Sequence, residues 1–216
     1  MIETAHESSA PWFVFGHDQF QGHVAVVTRA ASRGGHAFAA LEARIARVDH
    51  VAHCAAVITS TPTPTLDADA AHWRRVLDNL IRAFLVAQES LRRMAEVQRG
   101  TMALVASDAG YRDGGGLIAD APYAASNAGV LSLVKSLVRE FEGSGARVNA
   151  LVPGPTDTPM HEGIAHRMKE RIAAGIPLGC MGRPEDMAAA IVFLSSAAGS
   201  FIHGAAPHVD GGAMLR

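Results

Sequence analysis

The sequence predicts an α/β fold, a parallel sheet with helices packed against both faces. Three observations carry that expectation. From Gly22 onward, strand-like and helix-like segments alternate, the pattern of β-α-β units. The strand candidates are short unbroken apolar runs, as strands buried on both faces read, with none of the in-out alternation of a half-exposed sheet. The chain is 216 residues long, 49% hydrophobic and 19% charged, enough for one domain with a sizeable core. Residues 22–216 are expected to form that domain, and residues 1–21 an N-terminal arm or edge strand.

In order along the chain, Pro11-Trp12-Phe13-Val14-Phe15 is an apolar cluster suited to a sheet edge. Val24–Thr28 reads as the first buried strand. Ala37–Arg47 carries Phe38, Leu41 and Ile45 at helical spacing, and Val48–Val57 is the next strand. Between Leu66 and Gln98 runs a long amphipathic helix, with Trp73, Val76, Leu80, Phe84 and Leu91 on one stripe. Met102–Ala106 is a strand, Tyr111–Leu117 a glycine-rich loop, Tyr123–Glu142 a helix and Val148–Val152 a strand ended by Pro153-Gly154-Pro155. Helices over about 161–174 and 184–195 precede a closing strand at Ala206–Asp210.

Charge and composition exclude several classes. A net charge of −2 leaves no broad basic field for nucleic acid or an anionic membrane. No apolar run approaches the roughly 18 residues of a membrane span. The acidic, polar start does not read as a secretory signal. Cys54 and Cys180 make neither a CxxC pair nor a disulfide framework, which suits the cytoplasm, and no metal is expected.

The stretches Asp78-Asn79-Leu80, Ser107-x-Ala109-Gly110, Tyr123-Ala124-Ala125-Ser126, Arg147-Val148-Asn149-Ala150, Pro153-Gly154-Pro155-Thr156-Asp157-Thr158-Pro159-Met160, Arg183-Pro184-Glu185-Asp186 and Val209-Asp210-Gly211-Gly212 resemble the short-chain dehydrogenase/reductase family. The resemblance covers about residues 73–216, and Gly22–Thr28 looks like that family's first strand. It implies a Rossmann-like, doubly wound sheet. It also implies chemistry by Ser107 and Tyr123, with Asn79 as helper. The family transfers hydride between NAD(P) and a carbonyl or alcohol.

The departures set the functional expectation. Where the family reads Thr-Gly-x-x-x-Gly-x-Gly, this chain has Thr28-Arg29-Ala30-Ala31-Ser32-Arg33-Gly34-Gly35. Two glycines that let backbone approach a pyrophosphate have become Arg29 and Arg33, and Gly35 remains. Either the arginines hold an anionic ligand or they fill a vacated groove. Val48–Ala56 looks like the family's fourth strand and follows the first after a single helix. The second and third strands are therefore missing, and the sheet order becomes about 1-4-5-6-7. A right-handed crossover between the remaining neighbours places Ala37–Arg47 on the face opposite the usual phosphate-binding helix. The exposed flank of the first strand then needs a cover, for which Trp12–Phe15 is the candidate.

The family's Asn-Asn-Ala-Gly turn is His53-Cys54-Ala55-Ala56 here, and its lysine four residues after the tyrosine is Asn127. Without that cation Tyr123 is a poor base at neutral pH. Lys135, eight residues further along the helix, is ~12 Å away and does not substitute. Asp108, Asp113, Asp120, His161 and Glu162 are titratable residues around the mouth, and His53 and His161, with Arg29 and Arg33, are candidates for holding substrate or an anion.

On these grounds the sequence points to cofactor-independent acid/base chemistry on a small carbonyl or hydroxyl metabolite, of isomerase, dehydratase, cyclase or lyase type, in specialised metabolism. Ser107, Tyr123, Asn79 and Asn127 would form the site, with no nicotinamide and no hydride transfer. The alternatives are an NAD(P)H-dependent ketoreductase with an atypical site and an inactive subunit partnering an active paralogue. A homodimer or homotetramer is expected in each case.

Overall fold

The computed structural model describes residues 12–13, 20–29, 47–54, 56, 63–112, 120–158 and 165–215. Its elements are β1 (Trp12–Phe13), β2 (Ala25–Arg29), β3 (His50–Cys54), α1 (Ala70–Glu96), β4 (Gly100–Val105), α2 (Ala121–Glu140), β5 (Ala146–Pro153), α3 (His166–Gly175), α4 (Pro184–Ser195) and β6 (His208–Val209). They form one sheet in the order β1-β2-β3-β4-β5-β6. Strands β2 to β6 are parallel, and β1 joins antiparallel with Trp12 opposite Thr28 and Phe13 opposite Val27. The sheet therefore runs as the 1-4-5-6-7 order anticipates, with β1 on the flank of β2. The connection predicted as the helix Ala37–Arg47 lies outside the described residues except for Arg47, as do Val14 and Phe15.

The register puts Val26, Val51, Met102 and Val148 in one row across the sheet. These four are buried with Leu104, Ala150 and Val152 against Ala83, Val86, Ala87, Leu91 and Met94 of α1 and Val130, Leu131, Val134 and Leu137 of α2. Each large aliphatic side chain buried here contributes on the order of 2 kcal/mol of transfer free energy. The stripe predicted for α1 needs correction. Val76 and Leu91 are fully buried, but Phe84 is 42% exposed, with Ile81 and Leu85 beside it.

The Arg-Val-Asn motif has a structural cause. The Arg147 guanidinium donates to the carbonyls of Leu194 at 2.8 Å, Gly199 at 2.7 Å and Ser196 at 3.2 Å, satisfying the C-terminal end of α4. Asn149 donates to the Ile202 carbonyl and accepts from the Ala205 N–H, both at 3.0 Å. Together they stitch the segment after α4 to β5. At the other end of α4, the Arg183 N–H donates to Asp186 at 2.8 Å and Pro184 begins the helix, which accounts for the Arg-Pro-Glu-Asp motif. No helix of the described residues is long and apolar enough to cross a membrane.

Candidate active site

Parallel strands end together, so the mouth of the sheet lies where β4 stops at Val105 and α2 begins at Ala121. Ser107 follows β4 and caps a 3-10 turn at Asp108–Gly110, its Oγ accepting from the Ala109 N–H at 3.2 Å. That turn lies hard against α2. A Cβ on Gly110 would stand 2.8 Å from the Ala128 nitrogen and 2.9 Å from the Asn127 carbonyl carbon, so glycine is the residue that lets the two segments meet.

Three of the sequence-chosen residues converge across this contact. The Tyr123 phenol lies within interaction range of the Ser107 and Asn127 side chains. Asn127 is buried, and its Nδ2 also donates to the Tyr123 carbonyl one helical turn back, at 2.9 Å. Burial pushes the Tyr123 phenol above its ordinary value of 10.0, and the Asp108 carboxylate adds to the rise. Ser107 and Asn127 offset part of it. The phenol therefore carries its proton at neutral pH.

Behind Ser107 stands a charged pair. Ser107 donates to Asp108 Oδ1 at 3.1 Å, and Asp108 Oδ2 accepts from Arg112 at 2.9 Å. Arg112 donates in turn to the Ala213 carbonyl at 3.0 Å, tying the mouth to the C-terminal turn Ala213–Leu215. A second buried pair joins the two long helices at their N-terminal ends. His72 of α1 lies 3.2 Å from Asp120, the residue before α2, and the Asp120 side chain is fully buried. Asp120 makes no capping bond to its own helix, whose second residue, Pro122, has no N–H to offer.

Asn79 is buried on α1. Arg29 ends β2 opposite Cys54. His53 is buried in the sheet, its Nδ1 2.6 Å from Thr28 Oγ1 and its Nε2 without a hydrogen-bond partner among the described residues. Burial lowers its pKa to about 4, with the Arg82 charge acting in the same direction, so it is neutral. Arg33, Gly35, Asp113, His161 and Glu162 lie outside the described residues. Among the described residues no group of three or more His, Cys, Asp or Glu side chains could hold a metal ion.

Arg112 and His72 were missed in the sequence. The i,i+4 spacing of Asp108 and Arg112 was the available signal for the first. Nothing in the spacing of His72 and Asp120, 48 residues apart, announces the second.

Comparison with known proteins supplies the chemistry to which this geometry is related. The family model for enoyl-(acyl carrier protein) reductase matches residues 25–214. The chain is 38% identical over 156 residues to cis-4-hydroxycyclohexanecarboxylate dehydrogenase of Sinomonas cyclohexanicum, covering 72% of this chain and 61% of that protein. It is 36% identical over 141 residues to a 3-oxoacyl-(acyl-carrier-protein) reductase of Aquifex aeolicus, covering 65% and 56%. The chain thus spans about three fifths of the length of these curated relatives. Among solved structures, a gluconate 5-dehydrogenase from Burkholderia cenocepacia in complex with NADP and tartrate aligns with a TM-score of 0.76 at 25% identity, over 86% of this chain and 72% of that one. A 3-oxoacyl-(acyl-carrier protein) reductase from Brucella melitensis aligns with a TM-score of 0.77 at 27% identity, over 82% and 67%.

These findings overturn the expectation of cofactor-independent chemistry without hydride transfer, and with it the expectation of no nicotinamide cofactor. The relatives are dehydrogenases and reductases, and one neighbour holds NADP. The assignment to specialised metabolism has no support either. The error lay in weighing the substituted positions, above all Arg29, Arg33 and Asn127, more heavily than the scaffold around them. The hydroxyl pair, its supporting glycine turn and the strand order that places them are all kept. The chain belongs to the short-chain dehydrogenase/reductase family.

Proposed function

We propose that the protein is a nicotinamide-dependent oxidoreductase that interconverts a carbonyl and a secondary alcohol on a small metabolite. The reacting oxygen would sit against Tyr123, beside Ser107. The observation that carries this reading is the convergence of Tyr123, Ser107 and Asn127 at the mouth of the sheet, where Gly110 lets the turn after β4 meet α2. The dehydrogenase and reductase names of the relatives, and the NADP complex of the gluconate 5-dehydrogenase, support hydride transfer as the reaction class.

The donor set suits the reactive end of such a cofactor. Two hydroxyls and the Asn127 amide, all uncharged, meet where the nicotinamide ring and its ribose would lie. Asn127 and Tyr123 would hold the ribose, Asn127 with an amide in place of the family's ammonium. Bound, the cofactor supplies or accepts a hydride. Tyr123, kept protonated by burial, gives its proton to a carbonyl oxygen as charge develops there. Asn127 stands beside the phenol without lowering its pKa by a full positive charge.

A homo-oligomer belongs to this reading. Ile81, Phe84 and Leu85 leave an apolar patch on α1 that a second copy would cover. Light scattering should give a mass of at least two chains, and a monomer would contradict it.

The test of function is consumption of NADPH or NADH with a panel of small ketones. Tyr123→Phe should lower the rate ~10²-fold or more while leaving the circular dichroism spectrum unchanged. An unchanged rate would remove Tyr123 from the reaction.

A further inference from the structure

A helix leaves its first N–H groups without partners, and an aspartate at the N-cap ordinarily accepts one of them. Asp69 does this for α1, its Oδ1 accepting from the His72 N–H at 2.7 Å. Asp120 holds the same position before α2. Its backbone is extended, with φ −121° and ψ 96°, and its carbonyl accepts from the Ala124 N–H at 3.1 Å. Its side chain nevertheless makes no capping bond. The carboxylate turns across to α1 instead, where Oδ1 lies 3.2 Å from His72 Nε2. The Asp120 side chain is fully buried there and that of His72 is 8% exposed.

The direction of this bond follows from the other ring nitrogen. His72 Nδ1 lies 3.4 Å from a guanidinium nitrogen of Arg75, which can only donate. Nδ1 is therefore the acceptor, the imidazole carries its proton on Nε2, and that proton is directed at Asp120.

The consequence falls on the candidate site. Tyr123 is the third residue of α2, the position whose N–H an N-cap side chain ordinarily takes. Here the first turn goes without a side-chain cap, and Pro122 within it has no N–H. Two contacts fix this end of α2. One is the pair with His72 at its start. The other is the close approach of Gly110 to Asn127 and Ala128, one turn beyond Tyr123. On α1, His72, Val76 and Asn79 are buried together, and Asn79 lies two turns along from His72. The pair thus sets the register of the two helices that carry Asn79 and Tyr123. We propose that His72 and Asp120 are positioning residues for Tyr123. The carboxylate is diverted from capping its own helix so that the start of α2, and with it the phenol, keeps its place beside Ser107. The inference rests on the oxidoreductase reading above.

The two partners affect the helix differently, and that difference separates positioning from stability. Losing His72 frees the Asp120 carboxylate to cap α2, whereas losing Asp120 removes the anchor and leaves no cap. The readout is the fluorine spectrum of protein labelled with 3-fluorotyrosine in a Tyr111→Phe background, where Tyr123 is the only tyrosine. Its resonance reports the surroundings of the phenol at neutral pH, with neither substrate nor cofactor. His72→Ala and Asp120→Ala should both move that resonance toward its position in the denatured chain, although His72→Ala lowers the urea midpoint less. Asp120→Asn still accepts the Nε2 proton and should restore the parent resonance. Leu91→Ala, a fully buried core position of α1, should destabilise at least as much as His72→Ala and leave the resonance in place. A parent resonance in His72→Ala, or the same displacement in Leu91→Ala, would overturn the proposal, because the pair would then serve stability alone. His72→Ala carries the test if Asp120→Ala fails to fold. Because no turnover is read, failure here is distinct from failure of the oxidoreductase reading. If turnover is found, His72→Ala should lower kcat at least about tenfold and Asp120→Asn should keep the parent value. An unchanged kcat in His72→Ala would also overturn the proposal.

Discussion

Asn127 lies one helical turn past Tyr123, and its Nδ2 donates to the Tyr123 carbonyl at 2.9 Å. A lysine at that position would bring an ammonium to the same phenol that the amide now reaches without charge. An opposite charge within about 4–6 Å lowers a phenol pKa by 1–3 units. Asn127→Lys should therefore bring the Tyr123 midpoint down from its raised value by at least one pH unit. At neutral pH it should raise the rate of carbonyl–alcohol interconversion about tenfold. Tyrosinate absorbance and steady-state rates check the two halves independently.

The His72–Asp120 pair fastens the start of α2, and hence Tyr123, to the start of α1. With the carboxylate fully buried and the imidazole nearly so, removing one partner breaks a buried pair. Asp120→Ala should lower the unfolding free energy by about 3 kcal/mol, whereas a substitution at the exposed His166–Glu170 pair should change it by less than about 1 kcal/mol. Urea denaturation at constant pH measures both.

Acid should unfold the protein in two stages. His53 and His50 are each held neutral in the fold, with pKa lowered to about 4 chiefly by burial. Between 6.5, where an unfolded histidine titrates, and about 4, the unfolded chain binds more protons than the native one. Stability is then full above pH 6.5 and is lost as the pH falls toward 4. Asp49 acts lower down. Burial pushes its carboxyl up, but the Val24 N–H and the Arg47 and Arg99 charges outweigh that and hold it below 3.8. Its contribution is present above about pH 4 and disappears as the pH falls through the lowered value. Thermal melts from pH 7.5 down to about 2 should show both stages, and His53→Gln should flatten the upper one by roughly half.

The order of the sheet was legible because buried parallel strands read as unbroken apolar runs, and because familiar motifs mark the strand ends. The face of α1 was less so. Its core side is set by Val76, Ala83, Ala87, Leu91 and Met94, and the small alanines are what let the helix lie close. The large Phe84, adjacent to Ala83, looks out. A reading that follows the bulky residues places it inside. In the site, Ser107, Tyr123 and Asn127 were marked by the resemblance of Ser107-x-Ala109-Gly110 and Tyr123-Ala124-Ala125-Ser126 to the family's motifs. The expectation of no nicotinamide cofactor rested on lost glycines and a lost lysine, each a single contact, and the dehydrogenase and reductase relatives overturn it.

The central claim is that this chain works with a nicotinamide cofactor, and calorimetric titration of the purified protein with NADPH and with NADH tests it most directly. The account requires saturable binding of at least one of them with a micromolar Kd. No heat of binding from either at millimolar concentration would contradict it.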